Sequence, residues 1–544
     1  MYTQAPCQRI VIAPRYIRTL LLIRTLLLNT MAISRRTFLL AASGAIALGA
    51  AHGRRVLAKP RFGDDPFTLG VASGYPQPDG MVLWTRLAPR PLHGGGMPPE
   101  AMRVGWEIAA DEAFRNIVAK GEHIATPQYA HSVHVEASGL EPGRWYWYRF
   151  HAGGATSPTG RTRTTPAHGA AVERMRFAIA SCQHYEQGYF AAYRHMAAED
   201  FDLVLHLGDY IYESSWGRKL IRHHEAEAPV TLEEYRKRHA LYKTDRDLKA
   251  AHAAFPWIVT WDDHEVQNDY AADHSQDRVP PGLFRKRRLA AYQAYYEHMP
   301  LPASARPRGS DMRIYASNRF GALARFFVLD GRQYRAPQAC PRPGRGGSNV
   351  VDACDARLDP GRTLLGAAQE RWLLDRLAAS QARWNLIAQQ TLMAQVDRMP
   401  GEGQAFWTDG WDGYPDARSR LLSHIRHQRV SNPVVLGGDL HTAIAADLRM
   451  DFDDPRAPVV ASEFVTTSIT SYGHPRARIE AWAAENPHIR YADPTRRGYT
   501  AMELSARRCV AHMRTLDDAH DPDSRIRTLA SFAVEDGRAG VQRI

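Results

Sequence analysis

The chain has 544 residues, of which 44% are hydrophobic, so it is long and apolar enough to bury the cores of two or three domains. Its formal charge of +11 would suit a nucleic-acid-binding protein, but residues 1–58 hold eight arginines and no lysine or acid, which leaves 61 basic and 58 acidic residues in the rest. Proteins that track phosphate backbones need a basic face, so this balance excludes nucleic-acid binding as the main function.

Residues 1–58 are predicted to be a leader. Ser34-Arg35-Arg36-Thr37-Phe38 precedes a moderately apolar run rich in alanine and glycine, which ends near Val56-Leu57-Ala58, a suitable cleavage site. The segment resembles a twin-arginine export signal, which implies the twin-arginine export machinery as a partner and a periplasmic or secreted location. A membrane anchor is the alternative, although the run is short for a stable span. Met31 would give a signal of normal length and is expected to be the true start.

Residues 59–166 are predicted to form an N-terminal β-sandwich domain of immunoglobulin or fibronectin type. Short alternating stretches, MVLWTRL, MRVGWEI, SVHVEASGL and RWYWYRFHA, are separated by turn signals such as Gln-Pro-Asp-Gly and Glu-Pro-Gly. The aromatic residues of 145–148 alternate along one strand, which is more typical of core and rim positions than of a ligand platform. The sequence shows no catalytic constellation in this segment.

Residues 167–489 are predicted to form an α/β catalytic domain, and residues 490–544 a C-terminal cap with one strand, RGYTAMEL. Longer strand, loop and helix units occur here, among them RFAIASCQ, LVLHLGDY, WIVTWDDHE, WNLIAQQ and PVVLGGDLH. The stretch 340–360 is rich in proline and glycine and is expected to be an irregular loop. In an oxidising compartment Cys340 and Cys354 would either close a disulfide across it or remain free thiols.

Four of these predicted strands end in groups that can bind metal ions. The groups are Ser181-Cys182-Gln183, Gly208-Asp209-Tyr210-Ile211-Tyr212, Asp262-Asp263-His264-Glu265 and Gly438-Asp439-Leu440-His441. Because loops at the carboxyl edge of one sheet converge, we expect these side chains to lie close together. Carboxylates can bridge two cations, and imidazole and thiolate can complete their coordination, so the pattern predicts a two-metal site.

Several of these motifs have a purely structural alternative. Gly208-Asp209 alone would suit a turn or a helix N-cap. Cys182 would suit an inert buried thiol, and His441 a core histidine. Tyr212 would either pack over its strand end or bind a trivalent ion such as ferric iron, because a phenol ionises readily only beside a highly charged metal.

The Asp262-Asp263-His264-Glu265 quartet follows an apolar stretch and has no lysine or arginine nearby, unlike a solvated surface cluster. An HExxH zinc helix is excluded here, because Asn268 stands where the second histidine would be. Gln389 and Gln390 end the WNLIAQQ strand in a similar way, but amides bind metals only modestly. Their role, and that of Asn268, stays open.

Taken together, Ser-Cys-Gln, Gly-Asp-Tyr-Ile-Tyr-Glu, Trp-Asp-Asp-His-Glu-Val and Gly-Asp-Leu-His, in this order behind a twin-arginine signal and a β-sandwich, resemble the PhoD-type alkaline phosphatase/phosphodiesterase family. That family belongs with the calcineurin-like metallophosphoesterases. The resemblance spans nearly the whole chain after the leader. It implies an α/β fold class, a four-layer metallophosphoesterase sandwich with two central β-sheets, preceded by the N-terminal β-sandwich.

The resemblance also implies cofactors and their ligands. The cofactors would be Fe3+ and Ca2+, with other divalent metals as alternatives. The candidate metal ligands are Cys182, Asp209, Tyr212, Asp262, Asp263, Asp439 and His441. Asp209 would bridge, the cysteine, tyrosine and histidine would complete the ferric site, and Asp263 and Asp439 would hold calcium. The superfamily usually has Asn and His where this chain has Asp263 and Asp439, a change that favours a hard, oxygen-seeking cation over zinc.

The implied reaction is direct attack of a metal-bound hydroxide on the phosphorus of a phosphate ester. His264 would contact the phosphate or protonate the leaving oxygen. Arg332 and Arg335 would clamp phosphoryl oxygens, although surface positions suit them equally well. The chain has no Gly-x-Ser-x-Gly elbow and no Gly-x-x-x-x-Gly-Lys loop.

We therefore expect a secreted, monomeric alkaline phosphatase/phosphodiesterase without a stable membrane anchor, which scavenges phosphate from mono- and diesters. One alternative is a phospholipase D-like or teichoic-acid phosphodiesterase. An alternative of another class is a non-catalytic surface binding protein that the metals only stabilise. The sequence leaves open whether Trp407, Trp411 and Tyr414 line a substrate mouth or pack a loop.

Overall fold

The computed structural model describes residues 62–544. The predicted leader, with its twin-arginine motif, its cleavage site and the expected start at Met31, lies outside the described residues. Among residues 62–544, no helix combines the length and the apolar character that crossing a membrane requires.

The larger of the two main sheets has ten strands. In sheet order they are β24 (Arg538–Arg543), β23 (Ile526–Glu535), β22 (Arg508–Leu516), β21 (Gly498–Ser505), β9 (Arg174–Ala180), β10 (Leu203–His206), β11 (Pro256–Val259), β1 (Val71–Gln77), β2 (Gly80–Arg86) and β5 (Ser132–Ala137). At the centre β9, β10 and β11 run parallel, with Leu205 in register with Ile179 and Ile258. β10 and β11, LVLH and PWIV, are buried throughout, as parallel strands covered on both faces usually are.

The smaller main sheet has seven strands and faces the larger one. In sheet order they are β12 (Ala316–Phe320), β13 (Ala324–Val328), β15 (Trp384–Ala388), β17 (Pro433–Gly437), β19 (Val459–Val465), β18 (Ala443–Arg449) and β20 (Ile489–Asp493). β13, β15, β17 and β19 are parallel. Phe326 of β13 meets Phe177 of β9 edge-on, with ring centroids 5.2 Å apart, so the two sheets share one core.

Seven α-helices lie within residues 62–544. They are α1 (Ala191–Ala197), α2 (Leu232–Lys243), α3 (Arg246–Ala254), α4 (Pro281–His298), α5 (Gly366–Ala378), α6 (Pro415–His427) and α7 (Arg476–Glu485). Leu373 of α5 and Leu421 of α6 share a buried cluster with Ile387 of β15, whereas the neighbouring Leu386 belongs to the core between the sheets. Successive strand residues point to opposite faces, so α5 and α6 cover the outer face of the smaller sheet.

Strands from the predicted N-terminal domain belong to two different sheets. β1, β2 and β5 are part of the larger sheet, where β1 pairs in parallel with β11 at Ser73 and Pro256. The other sheet contains β4 (Ile117–Ala125), β3 (Met102–Ala109), β6 (Trp145–Ala152), β7 (Ala155–Thr156) and β8 (Gly160–Arg163). Val71 and Val104 share a buried cluster, so the two sheets enclose a common core. The boundary at residue 166 stays a prediction.

The C-terminal segment contributes more strands than the sequence indicated. The expectation of one strand after residue 490 is wrong, because β21 to β24 form an antiparallel run that extends the larger sheet from β9. Met502 of β21 lies opposite Phe177 of β9. This pairing joins residues far apart in the chain, and local alternation carries no information about it.

Cys340 and Cys354 form a disulfide. The stretch 340–360 is largely irregular, as predicted, apart from β14 (Val350–Val351) and a single 3-10 turn. β14 pairs with β16 (Phe406–Trp407), so the disulfide loop is tied to the loop that carries Trp407.

Buried histidines make the fold sensitive to acid. His239 of α2 is buried, stacks on His298 at 5.1 Å between ring centroids, and has no hydrogen-bond partner at either ring nitrogen among residues 62–544. Burial, and then the nearby cations Lys243 and Arg86, lower its pKa to about 3. His239 of the unfolded chain binds a proton below about pH 6.5, whereas the folded chain keeps this side chain neutral down to about pH 3. The free energy of unfolding is therefore unaffected by protonation of His239 above pH 6.5 and decreases as the pH falls from 6.5 toward 3.

We expect His239→Phe to reduce the acid sensitivity of the fold. A histidine held neutral down to about pH 3 costs about 2 kcal/mol at pH 5, relative to the unfolded chain. The free energy of unfolding, measured by urea titration at pH 8 and pH 5, should therefore fall by about 2 kcal/mol less in this variant than in wild type. The exposed His427 is the control position for the same substitution. An equal loss of stability in His239→Phe and wild type would contradict the prediction.

Candidate functional site

The four predicted motifs meet at the carboxyl ends of strands from both main sheets. Cys182 follows β9, Asp209 follows β10, Asp262 follows β11 and Asp439 follows β17. Side chains of these motifs form three groups, and within each group the ligand atoms lie within 4.8 Å of one another. The groups are Cys182, Asp209 and His441; Asp209, Asp262 and Asp439; and Asp209, Asp263 and His264. Asp209 is common to all three, which is the arrangement that a carboxylate shared by two cations requires.

Tyr212 belongs to the first of these groups by its hydrogen bonds. Its hydroxyl donates to Asp209 Oδ2 at 2.8 Å and lies 3.1 Å from His441 Nε2. The Ser471 hydroxyl donates to the same phenol oxygen at 2.8 Å. The side chain is buried, and its oxygen is directed at the Asp209 carboxylate rather than packed over the strand end.

The backbone is strained where the strands end. Four of the candidate ligands lie in the left-handed region, namely Cys182 (φ 57°), Asp209 (φ 55°), Asp439 (φ 60°) and His441 (φ 52°). A non-glycine residue there costs about 1–3 kcal/mol, which the surrounding structure has to offset. Such strain clusters at functional sites, where loops are bent to direct side chains toward one point.

Two glycines allow these loops to approach each other. A Cβ on Gly208, whose φ is +108°, would lie 2.5 Å from the Cβ of Asp262. A Cβ on Gly438 would lie 2.5 Å from Ser181 Oγ. The first Gly-Asp pair therefore brings β10 against the loop of β11, and the second brings β17 of the smaller sheet against the loop of β9.

Glu265 fastens the loops that follow β10 and β11. Its buried carboxylate accepts hydrogen bonds from the backbone N–H groups of Asp209 (3.1 Å), Tyr210 (2.7 Å) and Asp262 (2.9 Å). This places the fourth member of the quartet in a structural role behind the ligands.

The donor set fits a pair of metal ions. Four carboxylates each have one buried oxygen without a hydrogen-bond partner among residues 62–544, and these oxygens are Asp209 Oδ1, Asp262 Oδ2, Asp263 Oδ1 and Asp439 Oδ2. A buried carboxylate oxygen is costly unless a donor or a cation satisfies it. One group offers thiolate, phenolate and imidazole, whereas the other offers carboxylates, so the two positions suit cations of different hardness.

Burial and mutual repulsion oppose negative charge in this cluster. Burial, reinforced by neighbouring carboxylates, raises the pKa of Asp209 well above its ordinary value and that of Asp439 to about 7. Burial and the Asp209 charge also raise the pKa of the Cys182 thiol and of the Tyr212 phenol. Cations would reverse these shifts, because they favour every ionised form at once.

His264 forms a buried pair with Glu213. The His264 Nδ1 lies 2.6 Å from Glu213 Oε2, and the backbone N–H of Asn268 donates to the other carboxylate oxygen at 2.9 Å. Burial opposes the charged imidazole, but the carboxylates of Glu213, Asp209 and Asp263 together outweigh burial and raise the pKa of His264 well above its ordinary value. The ring lies 4.2 Å from that of Tyr212 and lines the cleft over the cluster.

Arg332 and Arg335 are directed at carboxylates rather than into the cleft. The Arg332 Nε donates to Asp262 Oδ1, and its Nη1 lies 3.0 Å from Asp409 Oδ1. The Arg335 Nη1 lies 3.2 Å from the same Asp409 oxygen. Both side chains are buried and neither lines the cleft. Their predicted contact with phosphate stays a prediction, and the geometry suits them better to holding Asp262 and Asp409.

The side-chain amides of Gln390 and Asn268 differ in position, since the first lies between strands and the second lines the cleft. The Gln390 amide nitrogen donates to Thr260 Oγ1 and to the carbonyls of Trp261 and Leu329, at 2.8–3.0 Å. It therefore fastens neighbouring strands of the two sheets. Asn268 lines the cleft and donates to Gln276 Oε1 at 2.9 Å.

The cleft above the cluster has a volume of about 720 Å³. Trp216, Trp407 and Tyr472 supply aromatic surface in its lining, and Arg287, Arg345 and Arg398 supply cationic groups. Trp407 thus lines the cleft, whereas Trp411 and Tyr414 are buried and pack the loop.

The sequence reasoning missed several residues of the site. Glu213 has the clearest local signal, because it is an acid directly after Tyr212 in the same motif. Asp409 and Ser471 come from loops whose sequences, WTDGWDG and TSITSYG, contain no metal-site motif. Their contacts depend on pairing between distant segments.

Comparison with known proteins gives consistent matches. The family model "PhoD-like phosphatase" matches residues 177–513, and "PhoD-like phosphatase, N-terminal domain" matches residues 52–166. Alkaline phosphatase D of Bacillus subtilis (strain 168) is 48% identical over 499 residues, which cover 90% of this chain and 84% of the relative. A solved structure described as "Structure of PhoD" is 47% identical and superposes with a TM-score of 0.86, covering 89% of this chain and 93% of that one.

Proposed function

Because the chain belongs to the PhoD-like phosphatase family, it is a phosphoric ester hydrolase, and we propose that it acts as an alkaline phosphatase/phosphodiesterase that uses two metal ions. The observation that carries this proposal is the position of Asp209, whose carboxylate is shared by three candidate ligand groups. A two-cation site of this kind suits phosphate esters, whose charged oxygens must be neutralised before attack on phosphorus.

The proposed cofactors are a ferric ion and calcium. Cys182, Tyr212 and His441 would hold the ferric ion, because thiolate, phenolate and imidazole suit it. Asp262, Asp263 and Asp439 would hold calcium, which prefers oxygen ligands. Asp209 would contact both. When bound, these cations supply positive charge for the phosphoryl oxygens and acidify water for attack on phosphorus.

His264 is proposed as the proton donor to the leaving oxygen. The Glu213 carboxylate accepts a hydrogen bond from the Nδ1–H of His264 and so leaves the Nε2–H of the imidazolium free to donate. The ring lines the cleft, which is where the leaving group would lie. Asn268 N–H orients the Glu213 carboxylate by occupying its other oxygen.

Arg332 is proposed as a positioning residue. Its guanidinium contacts Asp262 and lies 3.4 Å from Asp263 Oδ1, so it holds two candidate ligands from one side. Asp409 accepts from it on the other side, at 2.9 Å. This network would keep both carboxylates oriented when the charge on the cluster changes.

Other proposals concern setting and architecture. The twin-arginine motif in residues 1–58 supports export of the folded protein to the periplasm or medium, where it would release phosphate from organic esters. The packing of helices and sheets supports a four-layer metallophosphoesterase core, and the shared core of residues 71–152 supports an N-terminal β-sandwich. We propose a monomer.

Hydrolysis of p-nitrophenyl phosphate and bis-p-nitrophenyl phosphate tests the function directly. The protein supplied with iron and calcium is expected to release p-nitrophenolate at alkaline pH, and removal of both metals by a chelator is expected to abolish the rate. Re-addition of each metal alone and of both together separates their roles. A protein that hydrolyses neither ester, or that keeps its full rate after verified loss of metal, would contradict the proposal.

A further inference from the structure

Arg398 lies in the wall of the cleft with its charge unpaired. Its side chain lines the same cleft as Asp209, Asp439 and His441. Its Nε is buried and has no hydrogen-bond partner among residues 62–544. The acids that act on the guanidinium, Asp412 and Asp439, do so through space without a hydrogen bond. Arg398 as a whole is half-buried. A cation that is partly removed from water and has no partner is costly, so the geometry favours an anionic ligand at this position.

Two tryptophans hold the guanidinium of Arg398. Its Cζ lies 4.9 Å from the ring centroid of Trp407 and 4.2 Å from that of Trp482. Aromatic faces attract the cation but accept none of the hydrogen bonds that its N–H groups can donate in the guanidinium plane. The group is therefore ordered before an anion arrives, and its donors stay available.

The other arginines around the site have partners that Arg398 lacks. Arg287, which also lines the cleft, donates its Nε to the Tyr235 hydroxyl at 2.9 Å. Arg332 and Arg335 both contact Asp409. Arg345 lines the cleft, is about half exposed and lies 4.0 Å from Asp277. Burial lowers the pKa of Arg398 to about 10, so it remains a cation across the neutral and mildly alkaline range.

We propose that Arg398 is a substrate-binding residue that donates hydrogen bonds to a phosphate oxygen in the cleft. The inference rests on the proposed function, and it gives Arg398 the role that the sequence suggested for Arg332 and Arg335. A guanidinium presents a planar pair of donors that matches two phosphate oxygens. The oxygens belong either to the phosphoryl group that is hydrolysed or to a second phosphate on the leaving group.

The test compares two variants of Arg398. Arg398→Met keeps an apolar stem between the tryptophans and removes the charge, whereas Arg398→Lys keeps the charge and loses the planar fork. Inorganic phosphate serves as the probe, as a competitive inhibitor of p-nitrophenyl phosphate hydrolysis. We expect Arg398→Met to raise its inhibition constant about 10- to 100-fold, the loss that follows removal of a hydrogen bond to a charged group. Lysine should restore part of the affinity, and KM should rise more than kcat falls.

Two substrates distinguish which phosphate group supplies the oxygen that Arg398 contacts. If Arg398→Met is inhibited more weakly by inorganic phosphate than wild type and has a higher KM for p-nitrophenyl phosphate, Arg398 contacts the reacting phosphoryl group. A higher KM confined to a nucleoside diphosphate, which carries a second phosphate, supports contact with the leaving group. Unchanged inhibition and unchanged KM for both substrates would overturn the proposal.

Controls keep this inference distinct from the proposed function. Arg345→Met removes another cleft arginine, one that already lies near a carboxylate, and should change the inhibition constant by no more than about twofold. If the wild-type protein hydrolyses no ester, the proposed function fails, and calorimetric binding of inorganic phosphate to wild type and Arg398→Met still decides the inference, because equal dissociation constants refute it. Arg398→Gln is the second charge-free variant if the methionine variant does not fold.

Discussion

Asp209→Asn is expected to lose most of its bound metal and more than about 100-fold of its phosphatase activity. Substitutions in the outer shell of metal sites typically cost 10- to 100-fold, and Asp209 is common to every candidate ligand group around it. Asparagine keeps the size of the side chain and the left-handed backbone at φ 55°, which suits Asn as well as Asp. The loss would therefore report the missing charge rather than a changed loop. Elemental analysis of the purified protein and p-nitrophenyl phosphate hydrolysis are the measurements.

A matched control for this variant is Asp447→Asn. Asp447 is also buried, but it lies on β18 and accepts a hydrogen bond from the Val541 backbone at 2.8 Å, outside the ligand groups. Its substitution should leave the metal content unchanged. Retention of both metals and of the wild-type rate by Asp209→Asn would show that another carboxylate connects the two positions.

The strand-end motifs could be found from sequence because their signal is local. An apolar run followed at once by Gly-Asp marks both the end of a buried strand and the start of a loop, and the structure places Asp209 and Asp439 at such ends. The glycine permits close approach of the next loop, and the aspartate takes up the left-handed turn. Local chemistry and local conformation therefore point to the same residues.

The partners of these residues were harder to predict because they come from distant parts of the chain. Asp409 reaches Arg332 across 77 positions, and Ser471 reaches Tyr212 across 259. Likewise, the parallel pairing of β1 with β11 brings N-terminal strands into the central sheet. Alternating hydrophobicity gives the face that a strand buries, but it does not give the neighbour with which the strand pairs.

Arg332 and Arg398 illustrate the same limit for function. Arg332 lies in a motif-like stretch, Asp-Gly-Arg-Gln-Tyr-Arg, directly after β13, and the sequence therefore predicted that it binds phosphate. Its position behind Asp262 was decided by tertiary packing. Arg398 follows no strand and has no motif, yet its packing between Trp407 and Trp482 leaves its charge available.

Glu213→Gln is expected to lower kcat about 10- to 100-fold, the usual cost of losing a residue that orients a reacting group, and to move the alkaline limb of the rate profile to lower pH. The Glu213 carboxylate raises the pKa of His264, so the proton-donating form persists above the ordinary value and is lost as the pH rises through the raised one. A glutamine removes that charge, which lowers the pKa of His264. Its amide can also donate to Nδ1 and so stabilise the neutral ring.

The readout is the pH dependence of kcat for wild type and variant with equal metal content, since a merely structural role would lower the rate without moving the limb. His264→Gln serves as the reference, because its pH dependence of kcat should lack the alkaline limb altogether. The dependence on the leaving group sharpens the test, since an ester with a poor, basic leaving group needs the proton more than p-nitrophenyl phosphate does. Glu213→Gln should therefore cost more on phenyl phosphate. An unshifted limb together with an equal loss on both esters would remove His264 from the role of proton donor.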